Sequence, residues 1–201
     1  MADTKMNPKT TALIVNKMQN DWITFKQDNL VKVMEQNNVI PNIRRLMAAC
    51  RAAGIPVISV GHLKRPDGQD QFAYESDNKD HIKFLQEGEP GAEFMEALKP
   101  LPNEHVVWSR RYSGFFNTDL ELRLKCLRID TLILTGVLTN VSVAITVFDA
   151  FNRDLDTIVV KDGCGANTHE LNDFFMAKVF PVSSQVRTTE EILAAIGAGA
   201  K

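Results

Sequence analysis

Cysteine is scarce and poorly spaced for paired chemistry: Cys50, Cys126 and Cys164 are an odd number with no CxxC among them. A disulfide framework and a zinc-ribbon site are therefore not signalled. Long apolar runs are missing too. No stretch approaches the ~18 residues of a membrane span, and the opening MADTKMNPKTT is too polar for a signal peptide, so a soluble, cytoplasmic chain without membrane attachment is expected. Charge of one sign is lacking. With a formal net charge of -2 and lysines and arginines spread along the chain, there is no basic footprint for nucleic acid. Internal repeats and low-complexity tracts are absent as well. What remains is an ordinary globular composition over 201 residues, read as one domain, 1–201. A chain of this size hides roughly 70% of its unfolded surface.

Short apolar runs alternate with helical patterns. Thr11–Val15, Pro56–His62, Glu104–Trp108, Thr131–Val137 and Asp156–Val160 are β-branched and almost continuously apolar, the pattern of strands covered on both faces. Between them, residues 37–54 read as a helix ending at Gly54, and NTDLELRLKCLRI and TNVSVAITVFDAFNRD as two more. LNDFFMAKVF and TTEEILAAI supply helices near the C-terminus. Repeated strand–helix units predict an α/β three-layer sandwich around a parallel sheet, with ligands at the C-terminal strand ends. Residues 64–102, polar and rich in Gly and Pro, predict an irregular excursion near that edge, serving as a lid or a subunit contact.

That geometry selects candidates. Thr139 or Asn140 is expected to cap the helix after the fourth strand, leaving Ser142 on its first turn, where free N–H groups and the helix dipole favour a developing oxyanion. The alternative is a small residue at a tight junction. Lys17 ends the run ALIVN; desolvated there it becomes a base, whereas a snorkelling side chain keeps its charge. Ser109 on its own reads as strand-end polarity. Arg110 and Arg111 suit a carboxylate grip, or else ion pairs with Asp119 or Glu121. Cys50 and Cys126 sit in apolar helical patterns and are expected to be buried and inert, and nothing near Cys164 in DGCGAN would lower its pKa.

ALIVNKMQNDW, VVWSRRYSGFFNTDLELRLKCLRIDTLILTGVLTNVSVAITVFDAF and TIVVKDGCGANT resemble the isochorismatase-like, or cysteine hydrolase, superfamily, in the style of its ureidoacrylate and biuret amidohydrolase branch. The resemblance implies six parallel strands in a Rossmann-like sheet and a homodimer or homotetramer. The family's hydrolases use an Asp before MQND, a Lys three residues before the Tyr of RYS and a Cys in the turn TNVCV. Here those positions hold Lys17, Ser109 and Ser142. A non-proline cis peptide between Val137 and Leu138 is likewise implied, with the N–H groups of Leu138 and Ser142 as oxyanion donors.

Two readings follow. In one, Lys17 takes a proton through Ser109 from Ser142, a Ser–Ser–Lys unit similar to that of the amidase-signature enzymes, and the protein hydrolyses a small amide, ureide or imide-like C–N bond. In the other, catalysis has decayed and the site is a small-molecule binding or structural subunit. If Asn16 instead of Lys17 faces the pocket, the base disappears. A Schiff base on Lys17 is a third option. Gln19 and Asp21 are expected to order the site, and Trp22, Arg110, Tyr112 and Phe115 to bind substrate, although core packing accounts for the aromatic residues equally well. No cofactor is expected, and no metal, because His62 and His81 lack the Asp and two His pattern of metal-binding relatives.

Overall fold

The five apolar segments pair side by side because each is too hydrophobic to face water, and a short half-buried strand, Gln185–Arg187, completes the sheet. In the computed structural model, which describes residues 4, 6–24, 28–72 and 84–199, they form β1 (Thr11–Asn16), β2 (Val57–His62), β3 (His105–Ser109), β4 (Thr131–Val137), β5 (Asp156–Gly165) and β6 (Gln185–Arg187). All pairings are parallel, in the order β3-β2-β1-β4-β5-β6. The chain builds outward from β1 through β2 to β3, then returns to the other side of β1 at β4. The reversal between β1 and β4 opens a crevice at their carboxyl ends.

Helices cover both faces. On one side α2 (Asp28–Gln36), α3 (Val39–Ala52) and α7 (Thr189–Gly199) pack Leu30, Met34, Ile43, Leu46, Ile192 and other side chains against Leu13, Val15, Ile133 and Ile158. On the other, α4 (Leu120–Leu127) and α5 (Ala144–Phe151) pack Leu120, Leu124 and Val147 against Ala12, Ile14, Val60 and Leu132. The period of two along β1 is plain: Ala12 and Ile14 face the α5 layer, Leu13 and Val15 the α3 layer. Two shorter helices, α1 (Asp21–Thr24) and α6 (His169–Phe174), lie near the strand ends.

Several expectations shift. The helix foreseen over 37–54 begins at Val39, after Asn38 in a left-handed conformation, and ends before Gly54 at φ 70°, as a glycine stop requires. α2 escaped the pattern because only Leu30, Val33 and Met34 are buried on it, a single short stripe on a polar segment. β5 continues through Gly165, so Cys164 belongs to a strand instead of a loop; burial raises its thiol pKa and keeps it inert. Cys50 is buried and its pKa is pushed up to about 12, whereas Cys126, expected inside, is exposed on α4. Residues 64–102 are in part outside the described residues. Their described portion holds one-turn helices at Pro90–Ala92 and Glu96–Leu98 and bridges Phe94 to Gln19.

Candidate active site

The crevice between β1 and β4 gathers side chains that are far apart in sequence. Asn16, the last residue of β1, continues the Ala12 and Ile14 face and therefore points toward the start of α5. Lys17 follows with φ 58°, a left-handed conformation costing about 1–2 kcal/mol for a residue with a Cβ. Its backbone N–H still donates to Val60 O at 2.7 Å, so the turn is anchored to β2 while the side chain swings toward β3. There the Lys17 Nζ donates to Ser109 Oγ and, at 3.1 Å, to the Arg111 carbonyl.

Only 2% of Lys17 is exposed, and among the described residues no carboxylate pairs with its amine. Burial disfavours the ammonium form and brings its pKa down from 10.5 to about 7. Ser109, fully buried, donates to the Arg111 carbonyl at 2.9 Å, with the Gly61 carbonyl at 3.2 Å as a further acceptor. Two polar groups, the Lys17 amine and the Ser109 hydroxyl, thus converge on the Arg111 carbonyl. The pKa of His62 lies well below the ordinary histidine value, chiefly from burial and then from Lys17 and Lys64, so the ring is neutral. Its Nδ1 is buried without a partner.

Ser142 stands at the opposite wall. The segment Thr139–Val143 after β4 is one π-helical turn, and neither Thr139 nor Asn140 caps it; Thr139 Oγ1 instead donates to Asn172 Oδ1 at 2.7 Å. The turn instead starts at Thr139, with Leu138 at its cap position and no side-chain hydrogen bond there. The Val137–Leu138 peptide bond is cis, and the Leu138 N–H meets no backbone acceptor among the described residues. Ser142 Oγ donates to the Val137 carbonyl at 2.6 Å and accepts from Asn16 Nδ2 at 3.2 Å. No hydrogen bond joins Ser142 to Ser109 among the described residues, so of the two contacts in the expected relay only Lys17 to Ser109 is made. The sequence offers Asn16 and Lys17 as alternatives. Both face the crevice, one toward each serine, because the left-handed turn at Lys17 breaks the strand alternation.

Around this centre the remaining candidates separate. Gln19 ties β1 to β2 through His62 N and O, both at 2.8 Å, and to Ala92 O at 2.6 Å. Asp21 accepts from Leu85 N at 2.6 Å. Trp22 meets Phe84 edge-on with ring centroids 4.7 Å apart, while Tyr112 lies against Phe72 at 4.8 Å and beside His62 at 6.5 Å. Arg110 is engaged by Glu87 at 2.6 Å and Asp70 at 3.3 Å, and Arg111 donates to the Asp70 carbonyl. The anticipated partners Asp119 and Glu121 instead serve Arg123, Lys125 and Arg153, since α4 turns them away from the crevice. Phe115 is corrected from pocket wall to core: it is buried among Leu120, Leu124 and Val147, with the Arg153 guanidinium 4.8 Å from its ring centre. His81 lies outside the described residues. Among those described, no three His, Cys, Asp or Glu side chains gather as a metal ion would need, and no helix is long and apolar enough to cross a membrane.

Sequence reasoning passed over two groups in the crevice. The sequence marks His62 only as a candidate metal ligand and Asn16 only as a rival of Lys17. The signal for Asn16 was available in the even-numbered face Ala12, Ile14, Asn16.

Comparison with known proteins agrees with this fold. An isochorismatase domain model matches residues 11–191. The chain is 32% identical to the ureidoacrylate amidohydrolase RutB of Methylobacterium radiotolerans, over 78% of this chain and 67% of that protein. It is 29% identical to the isochorismatase family protein YecD of Escherichia coli O157:H7, over 96% and 99% respectively. The solved structure of an isochorismatase family protein from Burkholderia thailandensis superposes with a TM-score of 0.85 at 26% identity, covering 98% of this chain and all of that one. With its six-stranded parallel sheet and a family match spanning nearly its whole length, the chain belongs to the isochorismatase family.

Proposed function

We propose that the protein hydrolyses a small amide, ureide or imide-like C–N bond, with Ser142 as nucleophile, Ser109 as proton relay and Lys17 as general base. One observation carries this reading. An amine buried to 2% exposure, unpaired with any described carboxylate and touching a serine hydroxyl, has its pKa lowered to about 7, where a base works best in neutral solution. The name of the RutB relative, an amidohydrolase, supports the bond class.

In the proposed reaction the Ser142 hydroxyl turns from the Val137 carbonyl toward Ser109 once substrate enters. Catalytic hydrogen bonds commonly tighten only in the complex. Ser142 Oγ then bonds to the carbonyl carbon; its proton passes to Ser109, whose own proton passes to neutral Lys17. The N–H groups of Leu138 and Ser142 receive the oxyanion. On collapse the C–N bond breaks, and the leaving nitrogen takes the proton from Lys17. Water then attacks the acyl-serine, its proton passing through Ser109 to Lys17, and Ser142 Oγ takes that proton back as its bond to the acyl carbon breaks and the acid leaves.

A second reading, a binding or structural subunit without turnover, is favoured by the Ser142 proton, which points at the Val137 carbonyl and not at a base. The two are separated by assaying primary amides and ureides against wild type, Ser142→Ala and Lys17→Ala. Turnover lost in both variants supports the hydrolase. A ligand that raises Tm in every form yet is never consumed supports the subunit.

A further inference from the structure

We infer that Asn16 is a positioning residue that hydrogen-bonds the Ser142 oxygen through both halves of the reaction, first as nucleophile and then as leaving group. This inference rests on the proposed role of Ser142.

The direction of the bond follows from proton counting. A serine hydroxyl has one proton, and Ser142 gives it to the Val137 carbonyl at 2.6 Å. Its contact with Asn16 at 3.2 Å must therefore be made by the N–H end of the carboxamide, with Ser142 Oγ accepting. The other end, Asn16 Oδ1, is buried and has no partner. A buried acceptor left unpaired weakens the fold. Position 16 lies wholly buried on the face of β1 that carries Ala12 and Ile14, where an apolar side chain would pack without that penalty. The packing thus gives no reason for an asparagine. Its single hydrogen bond to Ser142 does.

The close approach of the neighbouring strand holds the group in place. Asn16 pairs with Gly136, and a Cβ at that glycine would sit 1.9 Å from the Asn16 carbonyl oxygen. β4 therefore fits against Asn16 more tightly than any other residue would permit, and the Ser142 turn begins three residues beyond. A donor aimed at Ser142 Oγ stabilises negative charge on that oxygen. In acylation the charge develops as the proton leaves for Ser109. In deacylation it develops again as the bond from Oγ to the acyl carbon breaks.

Phenyl acetate tests this, because it needs no knowledge of the natural substrate. Ser142 Oγ bonds to the acetyl carbon, phenolate leaves with its oxygen, and water later removes the acetyl group. Wild type is expected to release a burst of phenol and to carry an acetyl group on Ser142 by peptide mass mapping. In Asn16→Leu both the burst rate and the deacylation rate should fall about tenfold, the worth of one hydrogen bond, with KM for phenyl acetate nearly unchanged. Tm should not fall, because the unpaired acceptor is removed with the donor. A packing residue would instead lower Tm and leave the burst rate unchanged. Asn16→Ala serves if the leucine is not accommodated, and a crystal structure of acetylated wild type should place Asn16 Nδ2 within hydrogen-bond distance of the ester oxygen. Equal burst rates in wild type and variants, or an acetyl-Ser142 turned away from Asn16, overturn the inference alone. An unlabelled Ser142 in wild type overturns the proposed function, and the inference falls with it.

Discussion

Replacing Lys17 by methionine should make the protein more stable in acid than in mild base relative to wild type. The unfolded chain holds the amine at its ordinary pKa of 10.5, whereas the folded chain holds it near 7. Between those values the unfolded state binds more protons, so native stability rises with pH through this window and is level below it. At about 1.4 kcal/mol per unit, burying Lys17 costs about 5 kcal/mol at pH 6 and about 2 kcal/mol at pH 9. Methionine fills nearly the same volume without charge. It forfeits the contacts with Ser109 and the Arg111 carbonyl, roughly 1 kcal/mol each, but that loss does not change with pH. Urea unfolding of both proteins across this range should show the advantage of Lys17→Met shrinking by about 3 kcal/mol from pH 6 to pH 9. A difference that stays constant would mean that the amine keeps its ordinary basicity when folded, and the base assigned to the site would be lost.

Other outcomes follow from the same coordinates. If Lys17 is the base, kcat/KM for any amide substrate should rise with pH through about 7 and level off above it, as the folded amine loses its proton. Gly136→Ala should abolish soluble expression or lower Tm sharply, since its Cβ would lie 1.9 Å from the Asn16 carbonyl oxygen and the backbone there has φ 112°. Thr139→Val should cost about 1–3 kcal/mol in chemical unfolding by leaving the buried Asn172 Oδ1 without its donor.

The architecture was largely legible because its strands are buried on both faces and read as unbroken apolar runs; Thr131–Val137 appears with the boundaries foreseen. β6 was not legible from pattern, because Gln185–Arg187 is a half-buried edge of three residues. Cys126 misled because a sparse apolar stripe does not fix which side of α4 turns inward; only Leu120 and Leu124 do so. In the site, the identity of Lys17, Ser109 and Ser142 could be read position by position. Their mutual orientation could not. It depends on a left-handed turn at Lys17 and a π-helical turn at Ser142, neither of which leaves a glycine or proline as its mark.

Ser109 is carried by β3, the outermost strand on its side of the sheet, while Lys17 follows the central strand β1. The hydroxyl that the amine touches accordingly sits on a border strand, with a pairing strand on one flank only among the described residues. Were β3 to peel away while the rest of the sheet held, the lysine would lose its contact with Ser109, and with it the relay proposed above, without global unfolding.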